Sequence, residues 1–420
     1  MAGESSVQGF QGFQGFQGFQ GFQGFQGFAA WIPHFAMPVA ASAAATLTPG
    51  ADAGVSYALT SSRDELVPRL KIAKWQPERK HGKPKDGGLP PIDDLSLFDQ
   101  WADDIRVENC LTELMQPLNL RVSDGDEFSV EHIETAVDKK GVATVAVQRP
   151  ILQLTRPPAT LFEVQTQQVF DMSDLRNERM AEIVSQIGIP MQFWASIVDL
   201  NITNKPRTLE FLAIALACPS HVNQRAKHAF GCPRPTAYSP SIQPLINPRR
   251  FGAFPCGHGA EAFLVARLLQ VLSGQDPYVV KGGDSVDASL NQQLQRLAKR
   301  ISDNRVVAGV HFQIDNVASR LVGETMAGYI MQRAGGTGWQ PRKFVGAKTL
   351  DSKGNPLKEL LGDFDRHEPM DREDMNRQKK TALRPYFEHI APVLLTSVEP
   401  TFMKHAWDRA YAEWADWRIT

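Results

Sequence analysis

The chain has 420 residues, with 45 Lys and Arg against 46 Asp and Glu, a formal charge of −1 and a pI near 6.8. That length can bury a large core in one large domain or two smaller ones, and the even charge excludes the basic footprint of a nucleic-acid binder. No apolar run approaches the roughly eighteen residues that a transmembrane helix needs, so no membrane span is expected. Cys110, Cys218, Cys232 and Cys256 are too sparse for a disulfide scaffold and lack the C-x-x-C spacing of structural zinc, so reduced thiols are expected.

Residues 8–28 are seven tandem Gln-Gly-Phe triplets. A period of three suits neither a helix nor an alternating strand, and without proline it does not suit a collagen helix. Residues 1–30 therefore read as a disordered low-complexity tail, whose evenly spaced Phe rings leave weak self-association, and hence a homo-oligomer, open. The start carries Glu4 and no cationic segment, and the apolar-rich stretch Ala29–Leu47 contains prolines. No signal peptide is read there, and the expected location is cytoplasmic. Residues 31–157 read as an irregular lead-in packing on the core. In it, the basic run Arg79–Lys85 is a solvated loop and the alternating Val142–Val147 a strand.

Residues 158–420 read as a helical catalytic domain. Leu161–Ile187 has apolar residues at helical spacing: Phe162, Val169, Phe170, Leu175, Met180, Ile183 and Ile187. Pro190–Leu200 follows as a second helix and Arg207–Ala229 as a third, ended by Gly231, Pro233 and Pro235. Lys227 then lies on the last turn and Arg234 on the next loop, with His228 turned elsewhere. Tyr238–Phe254 is loop; Ala260–Leu272 and Val286–Ser302 are helices. Asp303 or Asn304 caps a long helix to about Arg333 that carries Arg305, His311 and Asp315 near its start. Residues 340–380 form a polar excursion. In the final helix, Phe402–Trp417, the rings of Trp407, Tyr411, Trp414 and Trp417 recur three and four apart, as packing residues do. The expected class is mainly α, a helical bundle with the site between helices.

Three segments carry the chemistry: Lys227-HAFGCP-Arg234-Pro235, Pro255-Cys256-Gly257-His258 and Asn304-Arg305-VVAGV-His311-FQI-Asp315. Lys227, Arg234 and Arg305 suit a tetrahedral oxyanion, because two planar forks and one point charge neutralise it and the charge that grows in its transition state. The Gly257 N–H can approach an anion oxygen closely, and a helix starting near His258 adds its dipole. His311 and Asp315, four apart, share a helix face, so that Asp315 holds one ring nitrogen and leaves the other as nucleophile or metal ligand. His258 is left as general acid or base.

These segments resemble the signature shared by type 2 phosphatidic acid phosphatases, soluble bacterial acid phosphatases and vanadium-dependent haloperoxidases: Lys-x6-Arg-Pro, Pro-Ser-Gly-His and Ser-Arg-x5-His-x3-Asp. The first part matches in full; Cys256 and Asn304 replace the two serines. The resemblance implies the helical bundle common to haloperoxidases and acid phosphatases, and the lack of long apolar runs points to a soluble bacterial branch. It further implies that Lys227, Arg234, Cys256, Gly257 and Arg305 hold the oxyanion, and that His258, His311 and Asp315 are catalytic. Phe251, five residues before Cys256, resembles the halide-side Phe of fungal-type chloroperoxidases, although Gln224 stands where those enzymes have an aromatic residue.

Three functions follow. The first, slightly favoured, is a haloperoxidase with vanadate as cofactor on His311, taking hydrogen peroxide and a halide. The second is a phosphatase without cofactor, hydrolysing phosphate esters through a phosphohistidine at His311. The third is a non-catalytic oxyanion-binding or self-assembling protein, motivated by the tail and by Cys256. A thiol among cations is either a small neutral stand-in for Ser or a reactive thiolate.

Overall fold

The computed structural model describes residues 93–123, 126–137, 143–248, 250–275, 288–336, 341–360, 385–390 and 401–419. The Gln-Gly-Phe repeat and the Arg79–Lys85 run lie outside them. The chain divides into one unit of Ala29–Arg106 and another of Met1–Phe28 with Val107–Thr420. In the first, a 3-10 turn at Leu95–Gln100 is capped by Asp94, which accepts from the Ser96 N–H at 3.0 Å. The Phe98 and Trp101 rings meet at 5.3 Å, and Arg106 closes the segment on the Trp101 carbonyl and the Asp103 carboxylate.

The second unit is mainly helical with one small sheet. Helix α1 (Asp103–Met115) leads to strands β1 (Leu118–Ser123), β2 (Glu127–Val137) and β3 (Ala143–Thr155). Helices α2 (Ala159–Asp171), α3 (Arg176–Ser185), α4 (Met191–Ala195), α5 (Pro206–Phe230), α6 (Pro235–Tyr238), α7 (Gly257–Leu272), α8 (Ala288–Val307) and α9 (Gln313–Arg333) follow. Strands β4 (Arg342–Phe344) and β5 (Phe387–His389) and helices α10 (Phe402–Ala412) and α11 (Ala415–Ile419) complete it. The strands lie in the order β1-β2-β3-β4-β5, antiparallel except for the β3–β4 pair. The expected strand at Val142–Val147 is thus the start of one member of a longer meander. What conceals the rest is that β2 and β3 shift register at Val130/Glu131 and Ala136/Val137, which breaks strict alternation.

The single helix expected over Leu161–Ile187 is two, broken by a 3-10 turn at Met172–Leu175. The turn resets the helical phase. Phe162, Val169 and Ile183 are buried, whereas Phe170, Met180 and Ile187, at the same nominal spacing, are exposed.

Helices α5, α7 and α9 form the centre of the bundle. α7 and α9 approach so closely that a Cβ on Gly323 would stand 2.3 Å from the Ala260 carbonyl oxygen; no other residue type fits without moving one backbone. The N-terminus of α5 is capped from far away in sequence. The Glu413 carboxylate accepts from the Arg207 N–H (2.7 Å), the Thr208 N–H (2.8 Å) and the Thr208 hydroxyl (2.8 Å). A carboxylate there meets unpaired N–H groups and the positive end of the helix dipole. Trp414 is fully buried and donates from Nε1 to Thr208 Oγ1 at 2.8 Å, and Trp407 packs edge-on against Phe211. Trp407 and Trp414 are therefore packing residues, whereas Tyr411 is exposed, and the single helix expected over Phe402–Trp417 is two, α10 and α11. Polar links join bundle to sheet. The His132 ring of β2 meets the Tyr329 hydroxyl of α9 at 2.8 Å, and Glu324 of α9 bridges Arg320 (2.9 Å) and Arg342 of β4 (3.3 Å). Among the described residues no helix is long and apolar enough to cross a membrane.

Candidate functional site

The long helix expected to carry Arg305, His311 and Asp315 together does not exist as one piece. α8 runs through Arg305 and stops at Val307, and α9 begins at Gln313. Gly309 has φ +78°, the Val310 N–H returns to the Arg305 carbonyl (3.1 Å), and the Gly309 N–H returns to Val306 (2.8 Å). This pattern is a Schellman closure, which needs a left-handed residue after the helix. Asn304 is consequently no cap. It is buried inside α8 and donates to Glu182 and Gln186, both at 2.9 Å. Arg176 clamps the break from α3, donating to the Val307 (2.9 Å), Gln243 (2.8 Å) and Ile242 (2.9 Å) carbonyls.

The break sets the geometry of the histidine. His311 precedes α9, and Asp315 is in its first turn. Asp315 Oδ2 takes two bonds, one from the Phe312 N–H at 2.9 Å and one from His311 Nδ1 at 2.8 Å. The pair meets by helix capping rather than by sharing a helix face. On the other side of the ring, Arg234 Nη1 lies 2.9 Å from His311 Nε2. Arginine can only donate, so Nε2 is the lone-pair nitrogen and Nδ1 carries the proton. Burial and the cations Arg234 and Lys227 push the His311 pKa well down, so the ring is neutral. Burial raises Asp315 to about 6.

A cavity of about 590 Å³ adjoins His311. It is bounded by Lys227, Arg234, Phe251, Gly257, His258, Arg305 and His311. Lys227, on the last turn of α5, donates to the Ala253 (2.7 Å) and Gly252 (3.1 Å) carbonyls, which leaves one of its three protons for a ligand. Burial, then Arg234, lowers its pKa to about 7. Arg234 is oriented by the Phe251 (3.1 Å) and Val310 (2.6 Å) carbonyls. Arg305 is 1 % exposed and donates to the Ile183 and Gln186 carbonyls, while its Nε has no protein partner. Lys227 and Arg305 are buried and Arg234 is half-buried. Arg234 lowers the Lys227 pKa while Asp315 raises it, and an anion in the cavity would add to the pull of Asp315. The Phe251 ring stands 5.4 Å from Lys227 Nζ and 5.1 Å from the Arg234 guanidinium carbon, an aromatic face against both.

The N-terminus of α7 enters the same cavity, with Gly257 as its first residue and His258 as its second. His258 Nε2 donates to the Ile187 carbonyl at 3.1 Å, and burial together with Arg305 lowers its pKa to about 3. His228 is exposed and is not part of the cavity wall.

Two expected site residues stand behind the wall. Asp315 backs His311. Cys256 is fully buried as the N-cap of α7, its sulfur accepting from the Gly259 N–H at 3.5 Å and its own N–H donating to the Asp315 carbonyl at 3.1 Å. Burial pushes the thiol up to about 11, so it is neutral; of the two readings of this cysteine, the small neutral stand-in is the one that this environment produces.

The motifs did not single out the rest of the wall. Ser220 and Asn223 of α5, Glu261 of α7 and the exposed Arg250 line the cavity, as does Gln224, which the motifs marked only as the place of an absent aromatic ring. For the residues of α5 and α7, the helical offset from Lys227 and Gly257 was the available signal, since residues three and four apart share a face. Burial raises Glu261 to about 8 against the pull of Lys227.

No curated protein matches this chain. Residues 208–338 match the model of the PAP2 superfamily, whose members are generally phosphatases or haloperoxidases. The match begins on α5 and ends just past α9, and so contains Lys227, Arg234, Phe251, Cys256, Gly257, His258, Arg305, His311 and Asp315. The similarity to the PAP2 superfamily thus covers the part of the chain that builds the cavity.

Proposed function

We propose that the protein hydrolyses phosphate monoesters through a phosphohistidine at His311. The observation that carries this reading is the His311 ring itself. Asp315 holds the Nδ1 proton, so the lone pair is on Nε2, which takes an Arg234 proton in the empty site. The ring lines a cavity that Lys227, Arg234 and Arg305 also line, and a phosphoryl group there would draw Arg234 onto its oxygens and free Nε2. A phosphoryl group in the cradle has its non-bridging oxygens neutralised by these cations and by the α7 N-terminus. His311 Nε2 attacks phosphorus, the P–O ester bond breaks, and the leaving oxygen takes a proton from the neighbourhood of His258. Water then attacks the phosphohistidine, giving phosphate and restoring Nε2. Burial first, and then Arg305, lower the His258 pKa; a bound dianion offsets the second and so favours the protonated imidazole. The cavity is far larger than a tetrahedral anion requires, which leaves room for the ester's organic group.

The same donors fit vanadate, with His311 Nε2 as its one protein ligand, and Phe251 at the cavity wall favours this second reading. Bound vanadate would supply peroxide activation for halide oxidation. Against it, the Phe251 ring is already engaged by Lys227 and Arg234.

The test is turnover of an aryl phosphate by the full chain and by His311→Ala. The expected loss on substitution is about a thousandfold or more, as when a covalent nucleophile is removed. An acid-labile phosphoprotein should be trapped in the wild type alone. Vanadate should inhibit. Halogenation of an acceptor dye with vanadate, peroxide and bromide, without ester hydrolysis, would replace the first reading by the second.

A further inference from the structure

Past the cations, the cavity continues between α5 and α7. Asn223 lies four residues before Lys227, and Glu261 four after Gly257, so each stands one helical turn, about 5.4 Å, from a cradle residue. Both line the same space. Asn223 is 1 % exposed, and neither its amide nitrogen nor its amide oxygen has a hydrogen-bond partner in the protein. A buried amide left in that state has given up its bonds to water without replacement, which a packed helix would avoid with an apolar residue. Glu261 adds a carboxyl whose ionisation burial opposes, so at neutral pH it both donates and accepts. A pair of groups that each donate and accept suits a hydroxyl, which does the same. An alkyl or acyl chain would leave all of them unpaired.

We propose that Asn223 and Glu261 form a subsite beside the oxyanion cradle for a hydroxyl-bearing organic group, so that the preferred ester is a polyol or sugar phosphate rather than one carrying an alkyl or acyl chain. The proposal rests on the cradle holding the phosphoryl group. The offset of one helical turn places the recognised hydroxyl a few bonds beyond the ester oxygen. A site built to bond a hydroxyl rejects the analogue without it, because its own polar groups are then stranded.

The experiment is titration calorimetry on the full-length His311→Gln chain, which cannot turn over. The probes are glycerol phosphate, propyl phosphate of the same carbon length, and inorganic phosphate as reference. Glycerol phosphate is expected to bind at least about tenfold more tightly than propyl phosphate, equivalent to one or two net hydrogen bonds. Adding Asn223→Leu or Glu261→Leu should bring that ratio close to one, whereas Glu261→Gln, which still donates and accepts, should keep it. Asn223→Ala provides a second readout if Leu does not fit, and a melting curve on each variant shows that it is folded. Equal binding of the two esters, or a preference that survives both Leu variants, overturns the subsite. Failure of inorganic phosphate to bind overturns the cradle and the subsite together. Absent turnover in the wild type, with the glycerol phosphate preference intact, would remove the hydrolase reading and leave the subsite standing.

Discussion

Cys256 shows how far one residue's role depends on where its side chain points. Its sulfur caps α7 rather than facing the cavity. Serine at an N-cap is a better acceptor for the helix N–H groups than a thiol. Cys256→Ser is therefore expected to raise stability by about 1 kcal/mol, read as a higher Tm, while the inhibition constant for phosphate stays within about threefold. A tenfold change in that constant would mean that the side chain does reach the ligand. Lys227 gives a pH prediction. Its pKa in the empty site is lowered to about 7, and an anion favours the charged form, so the bound pKa is higher. Anion affinity is then greatest below pH 7 and falls as pH rises through it, with proton uptake on binding. Asp315, raised to about 6, loses its proton just below this and acts in the same direction. Sulfate, whose own charge is constant there, is the probe for calorimetry. Lys227→Met should remove the upper step, and an affinity flat from pH 6 to 9 would contradict the assignment.

At the scale of elements, the closure between α8 and α9 positions the reacting group. Gly309 has φ +78°, and a Cβ on it would stand 2.8 Å from Arg176 Nη2 and 3.2 Å from the Pro244 backbone. Gly309→Ala is expected to cost about 1–3 kcal/mol and to displace His311, because the same turn joins Arg305 to it. The check is a fall in Tm and kcat together; unchanged kcat in the folded variant would show that the turn is not what holds the ring. Arg305, His311 and Asp315 were legible from their spacing, but the reason that they converge was not. A helix spanning all three and two helices broken at Gly309 share one residue pattern, and only the left-handed glycine with its Arg176 clamp selects the second. The missed split of α2 and α3 has the same origin, since a 3-10 turn keeps the apolar spacing while rotating the face.

For the molecule as a whole, the sheet and the bundle are joined through buried charge. Glu324 is 6 % exposed and bridges Arg320 on its own helix and Arg342 on β4. Its removal leaves two buried guanidinium groups without their counter-ion. Glu324→Ala is expected to destabilise by about 3–5 kcal/mol, measurable by denaturant unfolding, with Glu324→Gln milder. A loss below about 1 kcal/mol would show that the arginines find other partners or water. The cavity differs: the cations Lys227, Arg234, Arg250 and Arg305 line it, and Asp315 is the carboxylate behind them whose charge reaches Lys227 and Arg234.

The residue set of the proposed oxyanion cradle was legible in the sequence alone. Three cations, two imidazoles and a carboxylate at those intervals suit an oxyanion, because charge and donor geometry belong to the side chains. The mainly helical class was also legible, from periodicity and from the prolines and glycines that end α5. Tertiary structure alone decided which of those residues reach the cavity, that Cys256 stands behind its wall, and that Asn223 and Glu261 stand in it. It also supplied the capping of α5 by Glu413, 205 residues distant from Thr208. Burial and orientation come from what packs against a side chain, and those neighbours are set by long-range contacts that no local pattern encodes.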